Sequence, residues 1–197
     1  MAQISARTAK WAKWSVVPAA LLVSGLAVSQ ASYSAFTSTT DNPGNNWSAG
    51  TVQLDNDAST ALFAATNMKP GSTGSKCITV TSSGSLKSAV KLYATKAATS
   101  NELSSHIDLA VLQGTGAGAD CKAFTPLASG SEVYKGTLAD FSAVTSSFAT
   151  GKGDWAPTGT ANETRVYQIV YTLNSKAPDS TQGGTASVGF TWEAQNS

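Results

Sequence analysis

Charge is the first thing this sequence lacks. Only 13% of its 197 residues are Asp, Glu, Lys or Arg, about half the roughly 25% usual in a globular domain. Ser, Thr, Ala and Gly fill the gap. That profile suits a secreted β-domain better than a cytosolic enzyme, a disordered tail or a coiled coil.

Histidine is scarcer still. His106 is the single one, so the two-histidine zinc motif H-E-x-x-H cannot be written. Asp108 lies two residues on, sharing a face with His106 if this stretch is a strand, and the pair reads as surface rather than ligand. A Ser-His-Asp triad draws its members from distant positions, but the nucleophile elbow G-x-S-x-G is absent. No phosphate-binding G-x-x-x-x-G-K-[ST] occurs. Gly114, Gly116 and Gly118 imitate a dinucleotide loop, yet Cys121 and Pro126 stand where its helix would run. Asp55 and Asp57 in "DNDAST" lack the later Gly and Glu of an EF-hand loop. They read as a turn, with a weak surface calcium site as the alternative. "NWS" and "NET" match the short glycan-acceptor pattern. The expectation is no cofactor, no metal and no enzyme.

Cysteine is limited to Cys77 and Cys121. Two thiols without companion histidines fall short of a four-ligand zinc site. In an exported chain the even count predicts a Cys77–Cys121 disulfide, contributing about 4 kcal/mol in the chain-entropy picture. Two buried free thiols are the alternative.

The N-terminus holds the one long apolar run. Arg7, Lys10 and Lys13 precede "WSVVPAALLVSGLAVSQA", and small residues follow. This is the three-part pattern of a secretory signal peptide. A retained membrane anchor is the alternative; the uninterrupted apolar part is shorter than the ~20 residues a spanning helix needs. Two cuts fit the small-x-small rule, after Ala31 or after Ser34. Residues 1–34 carry three Lys/Arg and no acid. Cleavage therefore leaves ten basic against the twelve acidic side chains of the chain, with no basic stripe to attract nucleic acid. Any membrane contact is expected only through the uncleaved leader.

What the remainder contains is alternation. "HIDLAVLQG" puts Ile107, Leu109 and Val111 on one face. "TRVYQIVYTL" does so with Tyr167, Ile169, Tyr171 and Leu173, and "TASVGFTWEA" with Ala186, Val188, Phe190 and Trp192. "LKSAVKLYATK" offers Leu86, Val90 and Leu92, and "SKCITVTS" and "WSAGTVQLD" are further runs. Period two marks strands with one buried face. Many strands without long helices between them predict an all-β, two-sheet sandwich. One segment departs: Leu138, Phe141, Val144 and Phe148 recur at three and four, behind the candidate N-cap Thr137 with Asp140 three residues later. It predicts one short helix at an end or edge. "MKPGSTG" reads as a turn, "QGTGAGADC" and "GKGDWAPTGTANE" as loops. Trp155, in the last of these, is assigned to core or loop packing ahead of ligand stacking.

Four pieces in order carry a resemblance: "SAFTST…NNWSAGTVQLD", "NMKPGSTGSKCITVTSSGSLKSAVKL", "YKGTLADF" and "STQGGTASVGFTWEAQ". Together they resemble the TasA/camelysin family of secreted proteins, whose leaders are removed by a specialised signal peptidase of the SipW type. The resemblance implies a jelly-roll-like antiparallel sandwich over residues 47–197. It also implies export to the extracellular matrix or cell surface, and homo-oligomeric fibres in which an N-terminal strand is donated to the neighbouring subunit. Mapped here, the donor is Ala35, Phe36, Thr37, Ser38, Thr39 and Thr40, within a segment 35–46 that ends in a linker. "AFTSTT" suits that role, being β-branched, uncharged and free of proline, with Phe36 as its one large apolar anchor. That the same residues pair within their own domain or stay disordered is the alternative. Some family members carry a metalloprotease description, which the single histidine gives no reason to transfer. A monomeric secreted binding module is the other reading.

Overall fold

The computed structural model describes residues 37–41, 47–48, 52–58, 60–116, 118–160 and 162–196. These lie in a compact unit that runs from Thr37 to Ser197. The expected leader, residues 1–34, lies outside the described residues, as do Ala35 and Phe36.

Two antiparallel sheets make the sandwich. Strands are β1 (Thr37–Asp41), β2 (Trp47–Ser48), β3 (Leu54–Asn56), β4 (Thr73–Ser82), β5 (Ser88–Thr99), β6 (Ile107–Thr115), β7 (Thr125–Pro126), β8 (Glu132–Thr137), β9 (Glu163–Leu173) and β10 (Ala186–Asn196). One sheet has the order β2-β1-β10-β5. The other runs β3-β4-β9-β6-β7, with β8 also paired to β6. This is the expected all-β sandwich, and the one α-helix among the described residues, α1 (Leu138–Val144), falls where the broken period placed it. Thr137 caps α1, its side-chain oxygen accepting from Asp140 N at 3.0 Å.

Alternation sets the core. Ile107, Leu109 and Val111 of β6, Tyr167, Ile169 and Leu173 of β9, and Phe190, Trp192 and Ala194 of β10 are all buried. Their outward neighbours are mostly polar, as a sheet with one face in the core requires. α1 fills one flank between the sheets. Phe141 is fully buried, its ring 5.7 Å from Phe190 and 4.9 Å from Tyr134.

Two inward assignments do not hold. Leu86 is exposed, because β5 starts only at Ser88, and Ser88 takes the buried position. Val144 is 53% exposed. The helix stops after it, where Thr145 turns back: its N–H and its hydroxyl both donate to Phe141 O. Phe148 then falls in a separate 3-10 turn rather than on the helix face.

The sheet edges are finished unequally. An exposed edge carries unpaired N–H and C=O groups. That of β5 is sealed by the chain from Thr145 to Pro157, which accepts from Ala94 N, Leu92 N, Val90 N and Ser88 N through the carbonyls of Thr145, Lys152, Trp155 and Pro157. β4 is covered by β3 over Val80–Ser82. Further along, Cys77 N donates to Ala119 O at 3.2 Å, and Cys77 and Cys121 are joined by a disulfide with Cα atoms 5.2 Å apart. Cys121 closes its loop in the left-handed region at φ 60°.

Candidate functional site

The site of interest follows from β10. On one side it is fully paired with β5, from Ala186 opposite Thr99 to Asn196 opposite Ser88, with a register shift between Ser187 and Gly189. On the other side β1 covers only part of it. Thr37 stands opposite Gln195, Ser38 opposite Ala194, Thr39 opposite Glu193, Thr40 opposite Trp192 and Asp41 opposite Thr191. Short β2 adds outside β1, Ser48 opposite Ser38 and Trp47 opposite Thr39. Among the described residues nothing pairs with Ala186–Phe190 on this side.

Beside that bare half the sandwich is open. A cleft of about 720 Å³ lies at this end, lined among others by Phe63, Met68, Leu109, Tyr171, Val188 and Phe190. The irregular stretch between β3 and β4 supplies one wall. Its Leu62, Phe63 and Met68 are only partly buried against the core, and Phe63 meets Tyr171 edge-on at 5.0 Å. A loop this long without secondary structure is uncommon in a small domain and tends to carry function. It is anchored by the expected turn at Pro70-Gly71: Ser72 N donates to Lys69 O at 2.8 Å, and Gly71 takes φ 85°, the positive value that position of a type II turn demands. Among the described residues Asp179 is the one carboxylate that lines the cleft, and no lysine or arginine does.

The opposite end is closed. Trp192 is fully buried with its ring 5.3 Å from Tyr167, and burial drives the Tyr167 hydroxyl far above its ordinary pKa of 10.0. Trp155 is buried too, with the Arg165 guanidinium 5.8 Å from its ring centre. Gln113, buried in the same layer, donates to Gly130 O at 2.7 Å and to Asp154 Oδ1. Trp155, read from sequence as packing, is core.

The residues weighed for chemistry stay apart. His106 is in a 3-10 turn, Leu103–His106, rather than on the strand, so it does not share a face with Asp108. Asp108 is exposed, with Oδ2 3.4 Å from Asn174 Nδ2. Asp57 Oδ1 accepts from Thr79 N at 2.8 Å, and Asp55 Oδ2 from Gln53 Nε2 at 3.2 Å, so both carboxylates organise the β3 turn. Among the described residues no group of three or more His, Cys, Asp or Glu side chains could hold a metal ion. Of the six expected donor residues, Thr37, Ser38, Thr39 and Thr40 are paired with β10 of their own chain; Ala35 and Phe36 lie outside the described residues. Sequence reading did not find the cleft. Its one available signal was "ALFAATNM", an apolar run with no period that bounds no strand.

The fold and site define a class: an all-β sandwich with one closed end, one open apolar end and an N-terminal strand laid on a sheet edge. The chain belongs to the camelysin metallo-endopeptidase family, whose family model matches residues 10–197. No curated protein matches the chain. The family's description implies a metal. With one histidine, and both cysteines in the disulfide, the described residues do not fit a peptidase metal site, and no catalytic step is derived through one.

Proposed function

We propose that this chain is a secreted structural protein of the extracellular matrix or cell surface, released from its leader by a signal peptidase of the SipW type. It assembles with copies of itself by donating the segment that begins at Ala35 as a β-strand. The observation that carries this is the β1–β10 pairing: Thr37–Asp41 already adds to a sheet edge in regular antiparallel register. A segment that closes an edge of its own subunit is competent to close the same kind of edge in another, which is the logic of strand exchange. Burial of Phe36 is worth roughly 1.5–3 kcal/mol and each backbone hydrogen bond about 1 kcal/mol net. A donated strand of this length thus supports a lasting contact after its ordering cost. The role needs no catalytic group.

The test is assembly of the mature chain. Electron microscopy and light scattering are expected to show filaments, and removal of Ala35–Thr40 is expected to leave folded chains that form none. The same filaments from the truncated chain overturn strand donation. A mature chain that stays monomeric at high concentration overturns assembly and favours a monomeric binding module with the cleft as its site.

A further inference from the structure

The cleft is graded from floor to mouth. Ile107, Leu109, Leu173 and Phe190, all buried, make its floor. Phe63, Met68, Tyr171 and Val188, half-buried, make its walls. Thr66, Asn67, Asp179 and Gln182 stand exposed at its mouth. Among the described residues no lysine or arginine lines it, and its one carboxylate, Asp179, already accepts from Gln182 Nε2 at 3.2 Å. Its volume of about 720 Å³ lies within the range of roughly 300–1,000 Å³ that takes one small organic molecule.

The backbone around the cleft is strained, and strain of this kind collects at ligand sites. Six described residues other than glycine have positive φ, and four of them border the cleft. Asn67, at 52°, is at the mouth. Asn101 and Glu102, at 51° and 53°, lead into Leu103, a lining residue. Lys96, at 49°, sits in a bulge of β5: Thr95 opposes Gly189 and Ala98 opposes Ser187, so Lys96 and Ala97 together face Val188. A bulge re-aims a side chain, here that of a wall residue. The mouth is pinned as well. Asn101 Nδ2 donates to Gln182 O at 2.9 Å, and Ser100 N donates to Thr185 O at 2.8 Å. A gap left by loose packing needs no such scaffold, whereas a preformed ligand site does.

We infer that the cleft is a binding site for a neutral single-chain amphiphile, its aliphatic chain on the floor and its uncharged hydroxyl or ester head at the mouth. Each layer supplies one part of that choice. The floor offers aliphatic side chains and one ring, and no partner for a buried polar group. Met68, unbranched and adaptable, lets the wall follow a flexible chain. The mouth offers neutral donors and acceptors, the Asn67 and Gln182 amides and the Thr66 hydroxyl, to a head that can both give and take a hydrogen bond. An anionic head would meet Asp179 and no cation, so a fatty acid carboxylate is disfavoured against its neutral ester. The inference does not rest on strand donation, which engages the backbone of a sheet edge.

The test is a fluorescence titration of the full mature chain with Nile red, a neutral apolar dye, followed by displacement with glycerol monolaurate below its micellar concentration. Saturable binding of one dye per chain is expected, with displacement by the monolaurate. Ionised dodecanoate, which has the same chain, is expected to displace the dye about tenfold less well or worse, since its charge finds no partner in the cleft. Asp179→Lys should close most of that gap; unchanged selectivity overturns the choice of a neutral head. Met68→Glu sets a charge in the wall and should weaken dye binding by about tenfold or more with an unchanged near-ultraviolet spectrum. Val144→Glu is the control, because Val144 is exposed on α1 and does not line the cleft. Equal losses from the two variants would mean adhesion to exposed apolar surface and overturn the site. So would dye that binds only after residues 35–40 are removed, since the chain's own N-terminal segment would then be the occupant. Should Met68→Glu not fold, amide shifts in the unaltered chain decide. The monolaurate must move Phe63, Tyr171 and Val188 and leave Trp155 and Trp192 in place, and shifts at the closed end overturn the assignment.

Discussion

The two ends of the sandwich are drawn from the same strands and finished in opposite ways. At the Trp192 end, β9 and β10 contribute Tyr167 and Trp192, and a loop folds back to bury Trp155 under Arg165. At the Ala186 end the same two strands contribute Tyr171 and Val188. There the facing loop brings only partly buried Leu62, Phe63 and Met68, leaving the cleft. Stability should therefore be concentrated at one end and adaptability at the other. A binding surface is drawn from the less stable part of a structure, because only groups without a full set of partners can take new ones.

The largest test of that contrast is at the closed end. Trp192→Ala removes a fully buried ring and is expected to cost roughly 3–5 kcal/mol, the usual range for a large core aromatic. Denaturant unfolding should show the midpoint falling sharply, or the chain failing to fold. A loss under about 1 kcal/mol would mean that the closed end is not the keystone of the fold, since that is the scale of an ordinary surface change.

The second test lies between the ends. Cys77 is near the middle of β4, and its bond to Cys121 holds the loop after β6 against that strand. Replacing both cysteines by serine is expected to cost about 2–4 kcal/mol, mainly by freeing the unfolded chain. Both ends should loosen alike, read as a uniform loss of amide-exchange protection in β4 and β9. Loss confined to one end would show that the bond serves that end alone.

Legibility in sequence follows the same division. The closed end was readable because its residues sit on strands with period-two alternation: Tyr167 and Ile169 on β9, Trp192 on β10. The helix was readable because Leu138 and Phe141 share a face and Thr137 supplies a cap. Its end was not, since Val144 continues the apolar period while Thr145 stops the helix by hydrogen bonds to Phe141 O that no period records. The seal over β5 was invisible for a related reason. Lys152, Trp155 and Pro157 act there through their carbonyls, and a carbonyl is the same in every residue. The cleft stayed hidden because it is the space left between strand ends and an aperiodic loop, and a space has no residues of its own.

A smaller effect is expected from Phe63→Ala at the open end. Phe63 is only partly buried and makes one ring contact, with Tyr171. The expected cost is about 1–1.5 kcal/mol, from partial burial and one aromatic pair. Set beside Trp192→Ala in the same denaturant series, it gives the contrast between the ends as a number. Equal losses would erase the distinction and make the cleft wall as much a part of the core as the closed end.

The smallest expected effect sharpens the closed end by pH. Glu163 opens β9 there, and its Oε1 accepts from Thr158 N at 2.7 Å, Thr158 Oγ1 at 2.8 Å and Thr160 N at 3.1 Å. The side-chain bond from Thr158, with the backbone donors behind it, holds the carboxyl below its ordinary value of 4.5. A carboxylate whose pKa is lower folded than unfolded contributes stability that is present above the unfolded value and is lost as pH falls through the folded one. The turn from Thr158 to Thr160 should therefore loosen only as pH drops below about 4.5. Glu163 is only partly buried, so the change should be local and slight: amide resonances of Thr158 and Thr160 shifting together with one titration midpoint below 4.5. Glu163→Gln should abolish that shared titration, because an amide does not ionise. Resonances that titrate unchanged in Glu163→Gln would assign the effect to another acid.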